Sequence, residues 1–259
     1  MDCHLNRIIK VFFRDSCKVL YVYLGKRVLA VIPARSGSKG LPNKNLILLN
    51  SKKLVGWPIE AAVKSGICDL VICSTDSTEI AESAKKYGAE VPFLRPVDLA
   101  LDETPTSDVL IHAIEYFEKK SVFFDYILLL EPTSPLTTSE DIKLAFESFH
   151  TNIEISDSLV SITENISGHP DFSFKMSTNP GIISSINMSP WIHKRRQDIE
   201  RCFFIEGSLY ISTVKSFKEK RSFIHDRTIG FIVPKWKSFE VDDDLDLKII
   251  AMIMKERGI

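Results

Sequence analysis

The chain has 259 residues, 44% hydrophobic and 26% charged, enough to close one large core with a small appendage beside it. Lysine and arginine number 33 against 34 aspartates and glutamates, and a net charge of −1 argues against wholesale binding to nucleic acid or anionic lipid. The five cysteines, Cys3, Cys17, Cys68, Cys73 and Cys202, are odd in number and contain no C-x-x-C pair, which disfavours a disulfide framework or a zinc site and points to a reducing cytoplasm.

No apolar run approaches the roughly 18 residues of a membrane span, and "VLYVYL" at 19–24 is too short for a usual signal core, so the chain reads as soluble and unexported. Residues 1–26 stand before the first strong strand as an extension without an assigned role, and 27–259 form the working domain. From there apolar runs alternate with helical patterns: "VLAVIPA" then "WPIEAAVKSG", "DLVICSTD" then "STEIAESAKKYGAE", "YILLLEP" then "SEDIKLAFESF". That rhythm predicts an α/β fold, a mainly parallel sheet with helices on both faces. Gly88 reads as a helix stop, and Thr106 or Ser107 as the cap of the helix that follows Pro105. Over residues 156–211 short strand patterns with turn residues replace the alternation, and the stretch reads as an insertion or arm. The alternation returns at "TIGFIVP" and closes with an amphipathic helix, "DLDLKIIAMIMKER".

In such sheets ligands sit beyond the carboxyl ends of the strands, so the loops after the strands are the place to look for chemistry. The first, "PARSGSKGLPNKN", holds Arg35, Lys39 and Lys44 as cations and backbone N–H groups around Gly37 and Gly40, a combination suited to phosphates. It matches neither G-x-x-x-x-G-K-[ST] nor G-x-G-x-x-G, and a solvated basic connection is the alternative reading. The second, "CSTDS", offers Ser74, Thr75 and Asp76 to a base or ribose, or Asp76 or Ser77 as a helix cap. In the third, "LLLEPTSPL", Glu131, Thr133 and Ser134 follow a very apolar strand and are stiffened by two prolines.

Near the C-terminus "SFEVDDDLDL" crowds five carboxylates into seven positions, 240–246. If 239–242 is extended, Glu240 and Asp242 share one face and Phe239 and Val241 turn to the core. Two carboxylates on one face suit a Mg²⁺ that also bridges phosphate oxygens, whereas Asp243 and Asp244 read as caps of the final helix. The basic "HKRRQ" at 193–197 reads as an anion grip or a solvated face.

Taken in order, "IPARSGSKGLPNKN", "STD", "LRPVDLALD", "EPTSPL", "RRQ", "EGSLYI" and "SFEVDDDLD" give the chain a pattern that resembles the acylneuraminate cytidylyltransferases, over residues 27–255. The resemblance implies a nucleotidyltransferase-like, Rossmann-like α/β fold, a homodimer in which an arm from each subunit, here within 156–211, reaches the other, and a requirement for Mg²⁺ or Mn²⁺. It implies a nucleotide site of Ala34, Arg35, Lys39, Lys44, Asn45, Ser74, Asp76 and Arg95. A sugar site of Glu131, Thr133, Ser134, Arg196, Glu206 and Tyr210 follows likewise, with Asp242 and Glu240 on the metal and Arg35, Lys44 and Asp242 as the catalytic set.

Two positions depart from the family's sialic acid enzymes, which usually read "QPTSPL" and "NGAIYI". Glu131 stands for the glutamine and Glu206 for the asparagine, adding carboxylates that repel an anionic sugar unless protonated or paired, for instance with Arg195 or Arg196. Legionaminic acid, another nonulosonic acid or a different anionic keto-sugar is then open as acceptor. The expected partners are CTP and that acid, and the expected reaction is attack of the anomeric hydroxyl on the α-phosphorus with loss of pyrophosphate. An octulosonate or alditol phosphate enzyme of the same fold, or a binding protein without catalysis, are the rival readings.

Overall fold

The computed structural model describes residues 8–13, 16–21, 23, 25–38, 40–165, 168–178, 181–186 and 195–259. The chain opens with an antiparallel hairpin of β1, Ile8–Phe13, and β2, Ser16–Tyr21. The alternating portion follows: β3, Val28–Pro33; a small ribbon of β4, Leu48–Leu49, and β5, Lys52–Lys53; α1, Gly56–Ser65; β6, Leu70–Ser74; α2, Thr78–Lys86; α3, Thr106–Glu118; β7, Tyr126–Leu130; and α4, Ser139–Thr151. After β8, Ser158–Glu164, comes a hairpin of β9, Phe174–Met176, and β10, Ile183–Ser185. The chain then returns through β11, Phe203–Thr213; α5, Val214–Lys220; β12, Thr228–Ile232; and α6, Asp244–Arg257.

The six-stranded sheet runs β12-β8-β11-β7-β3-β6. The pairings β3–β6, β3–β7 and β12–β8 are parallel, while β11 lies antiparallel to both β7 and β8. The predicted parallel sheet thus holds around β3, and β11 is the departure that makes it mixed. Strand β3 shows why it is central. Val28, Ala30 and Ile32 face a core completed by Ile59, Phe146 and Phe149 of α1 and α4, whereas Leu29 and Val31 face Leu110, Ile114 and Phe217 of α3 and α5. A strand buried on both faces needs an unbroken apolar run, and "VLAVI" supplies it.

Within residues 156–211, Ser158–Glu164 and Phe203–Thr213 belong to the central sheet, because β8 and β11 pair with each other and with their neighbours; the described residues between them, 165, 168–178, 181–186 and 195–202, lie outside it. Helix α3 also begins one step earlier than the predicted Thr106 or Ser107 cap. Pro105 takes the cap position without a side-chain hydrogen bond, so both hydroxyl residues lie inside the first turn. Elsewhere Ser77 Oγ caps α2 and Gly88 at φ +103° follows the end of that helix, as expected; on α6 Asp243 is the cap, but its partner in the reciprocal capping box is Asp246 and not Asp244, which is the first residue of the helix.

A third apolar cluster joins Leu41 of the first loop to Leu54, Leu136, Val241, Ile250 and Met254. It ties the loop after β3, the loop after β7 and helix α6 into one unit, and so sets the geometry of the site.

Candidate active site

The loop after β3 is fastened at several points. Ala34 is buried and its N–H donates to Ser74 O at 2.9 Å, while Asn45 Nδ2 donates to Arg35 O, also at 2.9 Å. Asp76, expected at the nucleotide, is bonded to this loop. Its carboxylate accepts from Ser36 N at 2.9 Å and Ser36 Oγ at 2.5 Å, so it pins the loop. Burial pushes its pKa up, but those hydrogen bonds outweigh burial and hold the carboxyl below its ordinary range. Arg95 is buried against the end of β6, with Nε donating to Ser74 Oγ at 3.1 Å and Nη2 to Ser74 O. The buried Ser74 therefore positions Arg95. Arg35 forms an ion pair through Nη1 with Asp102, a residue within "LRPVDLALD" that sequence reasoning left without a role. Lys39 lies outside the described residues.

The C-terminal carboxylates close on this loop from the other side. Lys44 Nζ donates to Val241 O at 2.9 Å and to Asp242 Oδ1 at 3.2 Å, and Val241 N donates to Thr133 O at 2.8 Å. Gly40 permits the approach, since a Cβ there would lie 2.6 Å from Asp242 O. Val241 is fully buried and Phe239 packs on the same cluster, while the Asp242 side chain is 78% exposed, which agrees with the expected alternation.

Glu240 folds over Gly207, which sits at φ +88°; a Cβ there would meet Glu240 Oε1 at 2.0 Å. Burial, then Glu206 and Asp242, push the Glu240 pKa up to about 7 against the pull of Lys44. Burial and Glu240 likewise raise Glu131 to about 7 against Arg95 and Lys44. Glu206 is only 2% exposed. Its Oε1 accepts from Ser208 N and Oγ, its Oε2 is buried without a hydrogen-bond partner, and burial raises its pKa. It is not paired with Arg195, which binds Asp198 at 3.0 Å; the side chain of Arg196 lies outside the described residues.

Two adjoining cavities result. A cleft of about 310 Å³ is lined by Arg35, Gly40, Lys44 and Asn45 of the loop after β3 and by Glu131 and Thr133 of the loop after β7. A second, of about 240 Å³, is lined by Glu131 and Tyr210 together with Ser107, Arg221, Phe223 and Ile224, residues from α3 and the turn after α5 for which the sequence suggested no site role. Glu131 lines both. Tyr210 carries a raised pKa from burial and from the nearby Glu131, Glu240 and Glu206. Ser134 is buried, with its Oγ unpartnered. A larger cavity of about 700 Å³ opens at the amino end of β7, beside Lys26, Asp125 and Tyr126, and contains none of the predicted site residues.

Among the described residues no three His, Cys, Asp or Glu side chains converge to hold a metal unaided. The donor chemistry nevertheless fits a divalent cation held partly by its substrate. Glu240 and Asp242 are hard oxygen donors, and burial first, with neighbouring carboxylates second, raises the pKa of Glu131 and Glu240 against the pull of Lys44, so a cation there would relieve both.

Cations and carboxylates gather at the carboxyl ends of parallel β3, β6 and β7, the edge where α/β sheets of this kind bind their ligands. The cytidylyltransferase family model matches residues 29–227, and the chain belongs to that family. It is 35% identical over 238 residues to the CMP-N,N'-diacetyllegionaminic acid synthase of Legionella pneumophila, covering 88% of this chain and 97% of that one. The pseudaminic acid cytidylyltransferase of Campylobacter jejuni is 32% identical over 230 residues, 88% of this chain and 96% of its own. The N-acylneuraminate cytidylyltransferase of Escherichia coli is 30% identical over 234 residues, 90% of this chain but 53% of its own length. The structure of CMP:2-keto-3-deoxy-manno-octonic acid synthetase complexed with CTP superposes with a TM-score of 0.64, at 17% identity over 89% of this chain and 99% of that one, which establishes the nucleotidyltransferase-like fold.

Proposed function

We propose that this chain transfers CMP from CTP to the anomeric hydroxyl of a nonulosonic acid and releases pyrophosphate. The observation that carries the reading is the pair of cavities that share Glu131 as a lining residue. One is walled by Arg35, Lys44 and Asn45 and takes the triphosphate, and the other, across Glu131, takes the sugar acid. Arg35 and Lys44 face the charge that builds on the α-phosphoryl oxygens and on the departing pyrophosphate, and Arg95, fixed on Ser74, adds a buried positive charge behind them. In the second cavity Phe223 and Ile224 offer an apolar wall to an N-acyl group, and Arg221 and the Ser107 hydroxyl offer polar contacts to carboxylate and hydroxyls.

Glu240 and Asp242 would hold the divalent cation, Mg²⁺ in our reading, which when bound neutralises phosphate oxygens and acidifies the attacking hydroxyl. A second copy of the chain would cover the segment that leaves the sheet, where Met176, Ile182, Ile183 and Ile186 are exposed apolar side chains. Free Cys68, Cys73 and Cys202 support the cytoplasm as the setting. No helix among the described residues is long and apolar enough to cross a membrane.

Of the two added carboxylates, Glu131 is the one that meets the sugar acid. Near pH 7 it is partly protonated and able to donate to an oxygen, which removes part of the expected repulsion. A legionaminic-type acid is the acceptor favoured over N-acetylneuraminate, in keeping with the name of the 35% identical relative. The test is pyrophosphate release with each of the four NTPs, Mg²⁺ and a panel of nonulosonic and octulosonic acids. Release with CTP and a legionaminic-type acid is expected; background release across the whole panel would sink the reading.

A further inference from the structure

Asp102 does not line the cleft, yet its carboxylate holds Nη1 of Arg35, which does. The segment that carries it is firmly built. Arg95 N donates to Thr75 O at 2.7 Å, a short 3₁₀ turn spans Val97–Leu99, and Thr104 Oγ1 donates to Asp98 O at 3.1 Å before α3 begins. One segment therefore supplies both a buried cation, Arg95, and a fixed anchor for the cation on the facing loop. A guanidinium is a rigid plane, so restraining Nη1 narrows the directions open to Nε and Nη2.

We infer that Asp102 is a positioning residue for CTP: it orients the Arg35 fork toward the phosphates and keeps it off Glu131, a carboxylate that lines the same cleft. Stability does not explain the pair well. Its side chains are 31% and 35% exposed, a setting in which ion pairs contribute little to folding. Asp76, another carboxylate beside this loop, is already engaged by Ser36 and does not substitute. The gain is in preorganisation, because a guanidinium already aimed loses less freedom when the anion arrives.

The inference rests on the cleft being the CTP site, and the test separates the two. CTP is titrated calorimetrically, in Mg²⁺ and without a sugar, into the full chain and into Asp102→Ala, Asp102→Asn, Asp102→Glu, Arg35→Ala and the Arg35→Ala/Asp102→Ala double variant, with thermal melts of each. Loss of one charge-assisted contact in Arg35→Ala is expected to weaken CTP by about 30-fold. Loss of orientation in Asp102→Ala should weaken it by about tenfold, with Asp102→Asn between it and wild type, Asp102→Glu restoring most of the affinity, and melting unchanged. The double variant should bind within about twofold of Arg35→Ala alone, because without the guanidinium there is nothing left to aim. Wild-type affinity in Asp102→Ala, or single effects that multiply in the double variant, overturns the role of Asp102 alone. A wild-type chain that binds no CTP overturns the cleft assignment and the role with it.

Discussion

Lys44 and Asp242, 198 positions apart, meet at 3.2 Å, with Lys44 Nζ also donating to Val241 O at 2.9 Å. The contact brings the basic loop after β3 against the acidic segment before α6. It also explains why a loop that fits neither familiar phosphate fingerprint is shaped as it is. Its curvature is set by what packs on it as much as by its own glycines, since Leu41 is buried with Val241, Ile250 and Met254.

Gly40→Ala should break that approach. The added Cβ would lie 2.6 Å from the Asp242 carbonyl oxygen, and backbone on both sides leaves no flexible side chain to yield. Overpacking of this kind costs about 1 to 3 kcal/mol. The expected outcome is a lower melting temperature together with a loss of pyrophosphate release larger than the melting change accounts for. An alanine variant with wild-type turnover would show that the Lys44–Asp242 contact is dispensable.

Arg35→Ala tests the opposite balance. The Arg35 side chain is partly exposed and its ion pair with Asp102 contributes at most about 1 kcal/mol to folding, whereas a donor aimed at developing phosphate charge contributes on the order of 3 kcal/mol to the transition state. Turnover should fall by about a hundredfold or more while the melt moves little. Steady-state kinetics beside differential scanning calorimetry would decide it.

Much of this arrangement was legible because a parallel sheet places the carboxyl ends of its strands on one edge; "VLAVIP", "LVICS" and "YILLL" were readable as strands from their apolar runs alone. Asp243 as the cap of α6 was readable from local spacing, whereas its partner Asp246 was not told apart from the other carboxylates of the acidic run. What was hidden depended on partners far away in sequence. Nothing near Asp76 in sequence shows that Ser36, forty positions earlier, donates to both its oxygens. Strand β11 reads as part of an arm because nothing in "CFFIEGSLYIS" shows that 209–213 pair with 126–130. The second cavity drew Ser107, Arg221 and Ile224 from segments whose local sequence shows only a helix start and a turn.

Asp242→Asn separates the metal reading from the fold. Asp242 is mostly exposed, and the capping of α6 is carried by Asp243 and Asp246, so the amide variant should melt close to wild type. It should lower turnover and raise the Mg²⁺ concentration required for half-maximal pyrophosphate release, because a neutral oxygen is a weaker ligand for a hard cation. An unchanged Mg²⁺ dependence would remove Asp242 from the ligand set.

The pH dependence of stability gives a test that needs no substrate. Glu131 has its pKa raised by burial and by Glu240 from an ordinary 4.5 to about 7. Between those values the folded chain binds more protons at this site than the unfolded chain does, so the contribution is fully present below about pH 4.5 and is lost as pH rises through about 7. Glu131→Gln removes this titration and relieves Glu240 of a repelling neighbour, while preserving shape. In EDTA, the melting curves of variant and wild type should therefore coincide most closely near pH 4.5 and diverge toward pH 8, where the variant becomes more stable by on the order of 1 to 3 kcal/mol. A difference that is constant with pH would mean that the Glu131 carboxylate is ionised at no cost in the folded protein, and that the charge crowding ascribed to the site is absent.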